Sequence, residues 1–276
     1  MSGPSRFLLR WFPPPLRGAW KPPGCRKRFR IFLLMGQSNM AGYGCVRSDD
    51  PWQPGDFDPL PGVVVLGGQC TLQSALPRGR TRWRAAAHPL HLNQRSASFG
   101  LGLPFAARLR EEMPDSMIGL VPCAWGGAPI DLLGPGSPLY RNAVHRARLA
   151  AKSGVLSGVL WHQGETDAES DTTAPAHAGK LSSLIRQLRT DLAAPELPFL
   201  IGDLAGFGDE RRKATGIARR ETVRRGLCRV AAEDAHAALV ESTGLGGIDL
   251  VHFGREALIE FGRRYATAFL SRWKPG

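Results

Sequence analysis

Three short clusters in this chain hold residues whose types and spacing could do chemistry. The first is Gly36-Gln37-Ser38-Asn39-Met40-Ala41-Gly42, in which a serine lies just past an apolar run and between glycines. A hydroxyl at such a turn stands beside free N–H groups, which suits a nucleophile whose attack creates an oxyanion. It is not the G-x-S-x-G elbow, because Met40 stands where that turn needs glycine. A serine capping the next helix is the competing reading. The second cluster is Asp249-Leu250-Val251-His252. A serine hydroxyl needs an imidazole to take its proton and a carboxylate to orient that imidazole. An Asp three residues before a His can hold one ring nitrogen in a local turn while the other faces the serine; a surface pair at a helix start competes with this. The third is Trp161-His162-Gln163-Gly164-Glu165. An amide here could donate to the oxyanion beside the backbone N–H groups of Ser38 and of Gly126 or Gly127. Each such donor contributes about 3–4 kcal/mol to the transition state. Gln163 and Glu165 satisfying buried backbone groups is the alternative.

The elements that must position these clusters follow from hydrophobic pattern. Ile31–Met35, Val63–Leu66, Met117–Val121, Val155–Trp161, Pro198–Gly202 and Ala237–Val240 are short continuous apolar runs, as expected of strands covered on both faces. Between them lie helical spacings: Phe105, Leu109 and Met113; a segment over 138–152; Leu181, Leu184, Ile185, Leu188 and Leu192; a segment over 211–232; and Leu258, Phe261, Tyr265 and Phe269. Residues 43–62 read as loop and 69–99 as a long surface excursion rich in Arg. Strand and helix alternating in this way predict an α/β protein with a parallel sheet between helices. In such sheets functional residues gather beyond the carboxyl ends of the strands. Ser38, Gly126-Gly127, Gln163-Gly164-Glu165 and Asp249 with His252 each follow a predicted strand, so all converge on one edge.

Taken together, Gly36–Gly42, Pro122-Cys123-Ala124-Trp125-Gly126-Gly127, Gln163-Gly164-Glu165 and Asp249-x-x-His252 resemble, in order, the four signature blocks of the sialate O-acetylesterases and family 6 carbohydrate esterases, a branch of the SGNH hydrolases. The resemblance covers roughly residues 30–272. It implies a three-layer α/β/α flavodoxin-like fold, removal of O-acetyl groups from carbohydrate, and no cofactor. By position it makes Ser38 the nucleophile, His252 the base and Asp249 its partner. Gln163 takes the oxyanion role that Asn has in other branches, and Gln37, Gly126, Gly127 and Glu165 complete the expected oxyanion and substrate set. Some members orient the histidine with a carboxylate of the Gln-Gly-Glu block, here Glu165. Asp249 is favoured because a partner three residues away loses little chain entropy. The sequence departs from the commonest pattern at Ala128-Pro129, where a Thr or Ser usually follows the glycines.

Composition narrows the rest. The net charge is +12, but residues 1–30 hold eight basic side chains and no acidic one, so the remainder carries only +4. We therefore expect a disordered basic leader over 1–29, one esterase domain over 30–276, and no nucleic-acid partner, since that would need basic residues gathered on a folded face. No run reaches the eighteen or so apolar residues of a membrane span, so no membrane partner is expected. The leader makes a poor secretion signal: Arg10 interrupts its apolar stretch and Pro13-Pro14-Pro15 follows. Five scattered cysteines lack metal spacing and favour a reducing, cytoplasmic setting. No metal is expected: His162, Glu165, Asp167 and His177, or His88 with His91, could be grouped on paper but lack a ligand spacing. A lipase or thioesterase needs a long apolar acyl pocket, which the Arg-, Pro- and Gly-rich region 43–99 does not suggest. An inert carbohydrate-binding relative would have no need of all of Ser38, Gln163, Asp249 and His252. The substrate expected is a small-molecule or glycan O-acetyl ester, with sugar contacts from Trp83, Trp52 or Trp125.

Overall fold

The computed structural model describes residues 25–67, 81–91, 98–208 and 213–273. The leader through residue 24, Cys70, and residues 69–80 and 92–97 of the expected surface excursion lie outside the described residues. Seven strands form one sheet: β1 (Phe29–Gly36), β2 (Val63–Leu66), β3 (Trp83–Ala85), β4 (Met117–Pro122), β5 (Val155–His162), β6 (Phe199–Gly202) and β7 (Ala237–Val240). Their order is β3-β2-β4-β1-β5-β6-β7, parallel throughout except for β3, which runs antiparallel on the edge. The helices are α1 (Ser38–Ala41), α2 (Gly102–Glu112), α3 (Ile130–Leu133), α4 (Pro138–Ala151), α5 (Thr173–Asp191), α6 (Ala214–Glu233) and α7 (Arg255–Trp273). Among the described residues no helix is long and apolar enough to cross a membrane.

The strand period of two splits the apolar runs between two cores. Ile31, Leu33 and Met35 of β1 face one layer, with Leu139 and Ala143 of α4, Leu181 and Leu184 of α5, and Val223 and Leu227 of α6. Phe32 and Leu34 face the other, with Phe105 and Leu109 of α2 and Leu258, Phe261, Tyr265 and Phe269 of α7. Each Ile, Leu, Met, Val or Phe among them contributes about 1.5–3 kcal/mol by leaving water. This is the three-layer α/β/α arrangement the alternation predicts. Helix α4 starts where chemistry dictates: Ser137 caps it by accepting the Tyr140 N–H at 3.1 Å, and Pro138 opens it.

Two differences from the sequence reading have clear causes. Residues 26–29, assigned above to a disordered leader, form a 3-10 turn at Arg26–Arg28 and the first residue of β1, where the Phe29 ring is fully buried against Trp83. Strand β3 lies within the expected surface excursion. Its three residues pair with β2 and cover an edge that would otherwise be open.

With β1 central, the chain builds toward β2 and β4 on one side and then crosses to β5 on the other. The ends of β1, β4 and β5 therefore border the crevice where the strand order reverses, the usual ligand position in open α/β sheets.

Candidate active site

Strand β1 ends at Gly36, whose φ of +137° is open only to glycine and whose Cβ, if present, would lie 2.0 Å from the His162 carbonyl oxygen. This close approach lets Gln37 donate its N–H to that carbonyl at 2.9 Å and turns the chain at once into α1. Ser38 opens that single turn, so its own N–H has no helical acceptor. Its side chain is nearly buried, at 6% exposure.

The histidine arrives from the loop between β7 and α7. Asp249 Oδ1 accepts the N–H groups of Val251 and His252, both at 2.8 Å, which closes a local Asx turn. Asp249 Oδ2 then meets His252 Nδ1 at 2.7 Å, and His252 Nε2 meets Ser38 Oγ at 2.9 Å. With Asp249 accepting at Nδ1, that nitrogen carries the hydrogen and Nε2 is free to accept from the serine. Burial works to raise the Asp249 pKa, but the bonds from His252 and from the two backbone N–H groups outweigh it and hold the carboxyl below its ordinary value.

Sequence reasoning did not identify two neighbours of this chain. Tyr43 stacks on His252 with centroids 3.8 Å apart and planes 16° from parallel. It is brought there by the loop after α1: Gly42 and Gly44 on either side of it pair with the backbone of Ser98 and Phe99, Asp50 accepts the Arg255 N–H at the start of α7, and Asp56 pairs with the Arg255 guanidinium at 2.7 Å. Asn39, fully buried, donates from Nδ2 to the Val251 carbonyl at 2.9 Å and to Glu165 Oε1 at 2.6 Å, while its Oδ1 accepts the Phe253 N–H at 3.2 Å. Both sides of His252 are thus tied to the residue that follows Ser38. The only sequence signal for these contacts is the position of Tyr43 and Asn39 within five residues of the serine.

Glu165 does not touch His252. Its Oε1 also faces His162 Nε2 at 2.9 Å. Burial would raise its pKa, but the attraction and hydrogen bond of His162 and the Asn39 amide hold it below its ordinary value. Gln163, fully buried, spends its amide on Asp167 Oδ2 at 2.5 Å, the Ala128 carbonyl at 3.3 Å and Gln37 Oε1 at 3.3 Å, and accepts from His177 at 2.8 Å. These bonds commit the amide to a buried network, and Ser38 is not among its partners. Gln37 Oε1 is approached by the N–H groups of Gly164 and Thr166, both at 3.4 Å, while its Nε2 donates to no described residue. The Gly126-Gly127 turn is joined to β1 by the Trp125 N–H, which donates to the Gly36 carbonyl at 2.9 Å. Gly127 has a φ of +69° and open space on its Cβ side.

The tryptophans separate. Trp83 is no sugar contact: its indole packs edge-on against Phe29 at 4.9 Å and hydrogen-bonds Ser153. The indole reaches Gly119, which pairs with Ile31 of β1, so at roughly 3.3 Å per residue it lies about 16 Å of strand short of the end that carries Ser38. Trp52 packs on Phe57 with the ring planes tilted by 31°, and His88 and Phe99 lie beside it. Trp125 stays half-exposed beside the site. Among the described residues no group of three or more His, Cys, Asp or Glu could hold a metal ion. Burial pushes His88 and His91 down to about 3 and His177 to about 4, which keeps all three neutral.

A sequence profile of a carbohydrate esterase family, the sialic acid-specific acetylesterases, matches residues 28–271. A probable carbohydrate esterase of Arabidopsis thaliana is 33% identical over 256 residues, covering 88% of this chain and 91% of that protein. A solved structure of a protein from Arabidopsis thaliana is 30% identical, with a TM-score of 0.74 over 88% of this chain and 98% of that one. A carbohydrate acetylesterase from Xanthomonas citri, at 24% identity, shares the fold with a TM-score of 0.69 over 88% of this chain and 56% of that one.

Proposed function

The chain belongs to the sialic acid-specific acetylesterase family of carbohydrate esterases and is an ester-hydrolysing enzyme of SGNH-type fold; from that premise we propose that it removes O-acetyl groups from sugars through an acetyl-Ser38 intermediate. The observation that carries the reading is the unbroken hydrogen-bonded chain Asp249–His252–Ser38 at the carboxyl edge of the sheet.

The steps follow from the geometry. His252 Nε2 takes the Ser38 proton as Oγ attacks the acetyl carbonyl carbon, and Asp249 stabilises the resulting imidazolium. The oxyanion is received by the Ser38 N–H, an N–H of the Gly126-Gly127 turn and Gln37 Nε2. Donors fixed in advance in this way cost no reorganisation during the reaction. Gln163 supports this set from below, through Gln37 and the Ala128 carbonyl. The tetrahedral intermediate collapses, His252 gives its proton to the departing sugar oxygen, and the acetyl group stays on Ser38. Water, deprotonated by the same Nε2, then attacks the acetyl-enzyme and releases acetate, returning the proton to Ser38. No metal or cofactor enters these steps. The sugar is of sialate or xylan type, with Trp125 flanking the glycine turn as its contact.

The test is hydrolysis of p-nitrophenyl acetate against the butyrate and octanoate esters, with wild type and Ser38→Ala side by side. Fastest turnover of acetate, abolished by Ser38→Ala, is the expected result. Preference for octanoate would move the chain to the lipases, and an active Ser38→Ala would remove the nucleophile.

A further inference from the structure

We propose that Asn39, held by Glu165, is the positioning residue that sets the reach of His252 toward Ser38. The inference rests on the serine-esterase reading above and concerns side chains that reading leaves without a task. Asp249 orients the imidazole from within its own loop, and Phe253, fully buried against His162 and Phe261, packs that loop on the sheet, but neither refers the histidine to the backbone of Ser38. What ties that loop to the nucleophile is Asn39. Its amide grips the peptide on either side of the histidine, through the Val251 carbonyl and the Phe253 N–H. Because Asn39 directly follows Ser38, base and nucleophile are referred to one short piece of backbone.

An asparagine amide can turn over, and reversed it would fail: Oδ1 would face the Val251 carbonyl and Nδ2 the Phe253 N–H. Glu165 selects the working orientation. Its Oε1 accepts from Nδ2 at 2.6 Å, a charge-assisted bond that a reversed amide would replace by repulsion. His162, fully buried, keeps that carboxylate acceptor-only by facing the same oxygen at 2.9 Å. Two carboxylates therefore serve His252: Asp249 directly, and Glu165 through Asn39. This gives Glu165 a task other than the one the Gln-Gly-Glu block suggests, which is direct contact with the histidine or substrate.

The prediction separates positioning from mere support. Asn39→Ala should lower kcat for p-nitrophenyl acetate about 10- to 100-fold, the usual consequence of displacing a catalytic group by about an ångström, with KM within about twofold of wild type. Glu165→Ala should match it. Glu165→Gln offers a carbonyl oxygen to both Asn39 and His162, and should restore kcat to within a few fold of wild type. The double variant Asn39→Ala/Glu165→Ala should be no slower than the worse single, since both act through one contact. The far-downfield proton resonance of the His252–Asp249 bond should broaden in Asn39→Ala and persist in Glu165→Gln. A folded Asn39→Ala with wild-type kcat, or one in which only KM rises, overturns the proposal. Should Asn39→Ala not fold, the Glu165→Ala and Glu165→Gln pair decides it: equal kcat in the two overturns it. Ser38→Ala run alongside separates the failures, because an inactive Ser38→Ala with an unimpaired Asn39→Ala rejects the positioning role alone, whereas an active Ser38→Ala rejects the serine-esterase reading.

Discussion

Replacing Asp249 by Asn changes one atom of the site and tests which carboxylate orients the base. The amide oxygen of Asp249→Asn could still accept the Val251 and His252 N–H groups that Asp249 Oδ1 now accepts at 2.8 Å, so the turn should survive. The change falls at Oδ2, 2.7 Å from His252 Nδ1, where an amide nitrogen would stand in place of an anionic oxygen. An NH2 group there donates to Nδ1, which moves the ring hydrogen to Nε2 and turns it against the Ser38 hydroxyl. Two losses follow: the charge-assisted bond to the imidazolium, about 1.5–3 kcal/mol, and one further hydrogen bond, about 1 kcal/mol, to restore the working tautomer. At about 1.4 kcal/mol per decade their sum corresponds to a fall in kcat of roughly 10²- to 10³-fold, with KM little changed. The assay is steady-state hydrolysis of p-nitrophenyl acetate, with circular dichroism to show that the variant is folded. An Asp249→Asn enzyme within about threefold of wild type would refute the reasoning and show that Asp249 does not orient the base.

Three further outcomes follow from the same contacts. Tyr43→Phe should keep near-wild-type kcat and Tyr43→Leu should lose about tenfold, because the ring stacked at 3.8 Å, and not its hydroxyl, holds the imidazole face; equal rates in the two variants would show that the stacking is idle. The Glu165 carboxyl lies below its ordinary value of 4.5, so its contribution to stability is complete above that pH and is lost as pH falls through the lower folded value. The gap in Tm between wild type and Glu165→Gln should accordingly hold from pH 7 to about 4.5 and narrow below; a gap that widens on acidification would contradict the sign. Trp83→Ala should lower Tm without altering KM on any acetylated sugar, and a selective rise in KM would bring Trp83 back to the substrate.

How much of this was legible in the sequence depends on how local the cause is. Strands β1, β2 and β4 to β7 could be read because each is a short run buried on both faces, a pattern contained in a few consecutive residues. Strand β3 could not, since Trp83-Arg84-Ala85 has no such pattern and is a strand only by pairing with β2. The Asp249–His252 contact was readable as a three-residue turn. The contacts of Asn39 were not, because its partners Val251 and Phe253 lie more than 200 residues away and nothing in the Gly36–Gly42 block names them. Tyr43 reaches His252 because Gly42 and Gly44 on either side of it pair with Ser98 and Phe99, and Asp50 and Asp56 anchor the rest of its loop to α7, an arrangement without a sequence period. Gln163 shows the limit of residue type: an amide after a buried strand fits an oxyanion donor and a satisfied core amide equally well, and only its partners distinguish them.

The central claim, that Ser38 carries the acyl group, is tested most directly by acid-quenching the enzyme during turnover of p-nitrophenyl acetate and mapping the adduct by peptide mass spectrometry. The account predicts one acetyl group on the peptide containing Ser38, accumulating in His252→Ala if deacylation slows more than acylation, and absent from Ser38→Ala. Turnover by wild type with the acetyl group on another residue, or an acetylated Ser38→Ala, would contradict it.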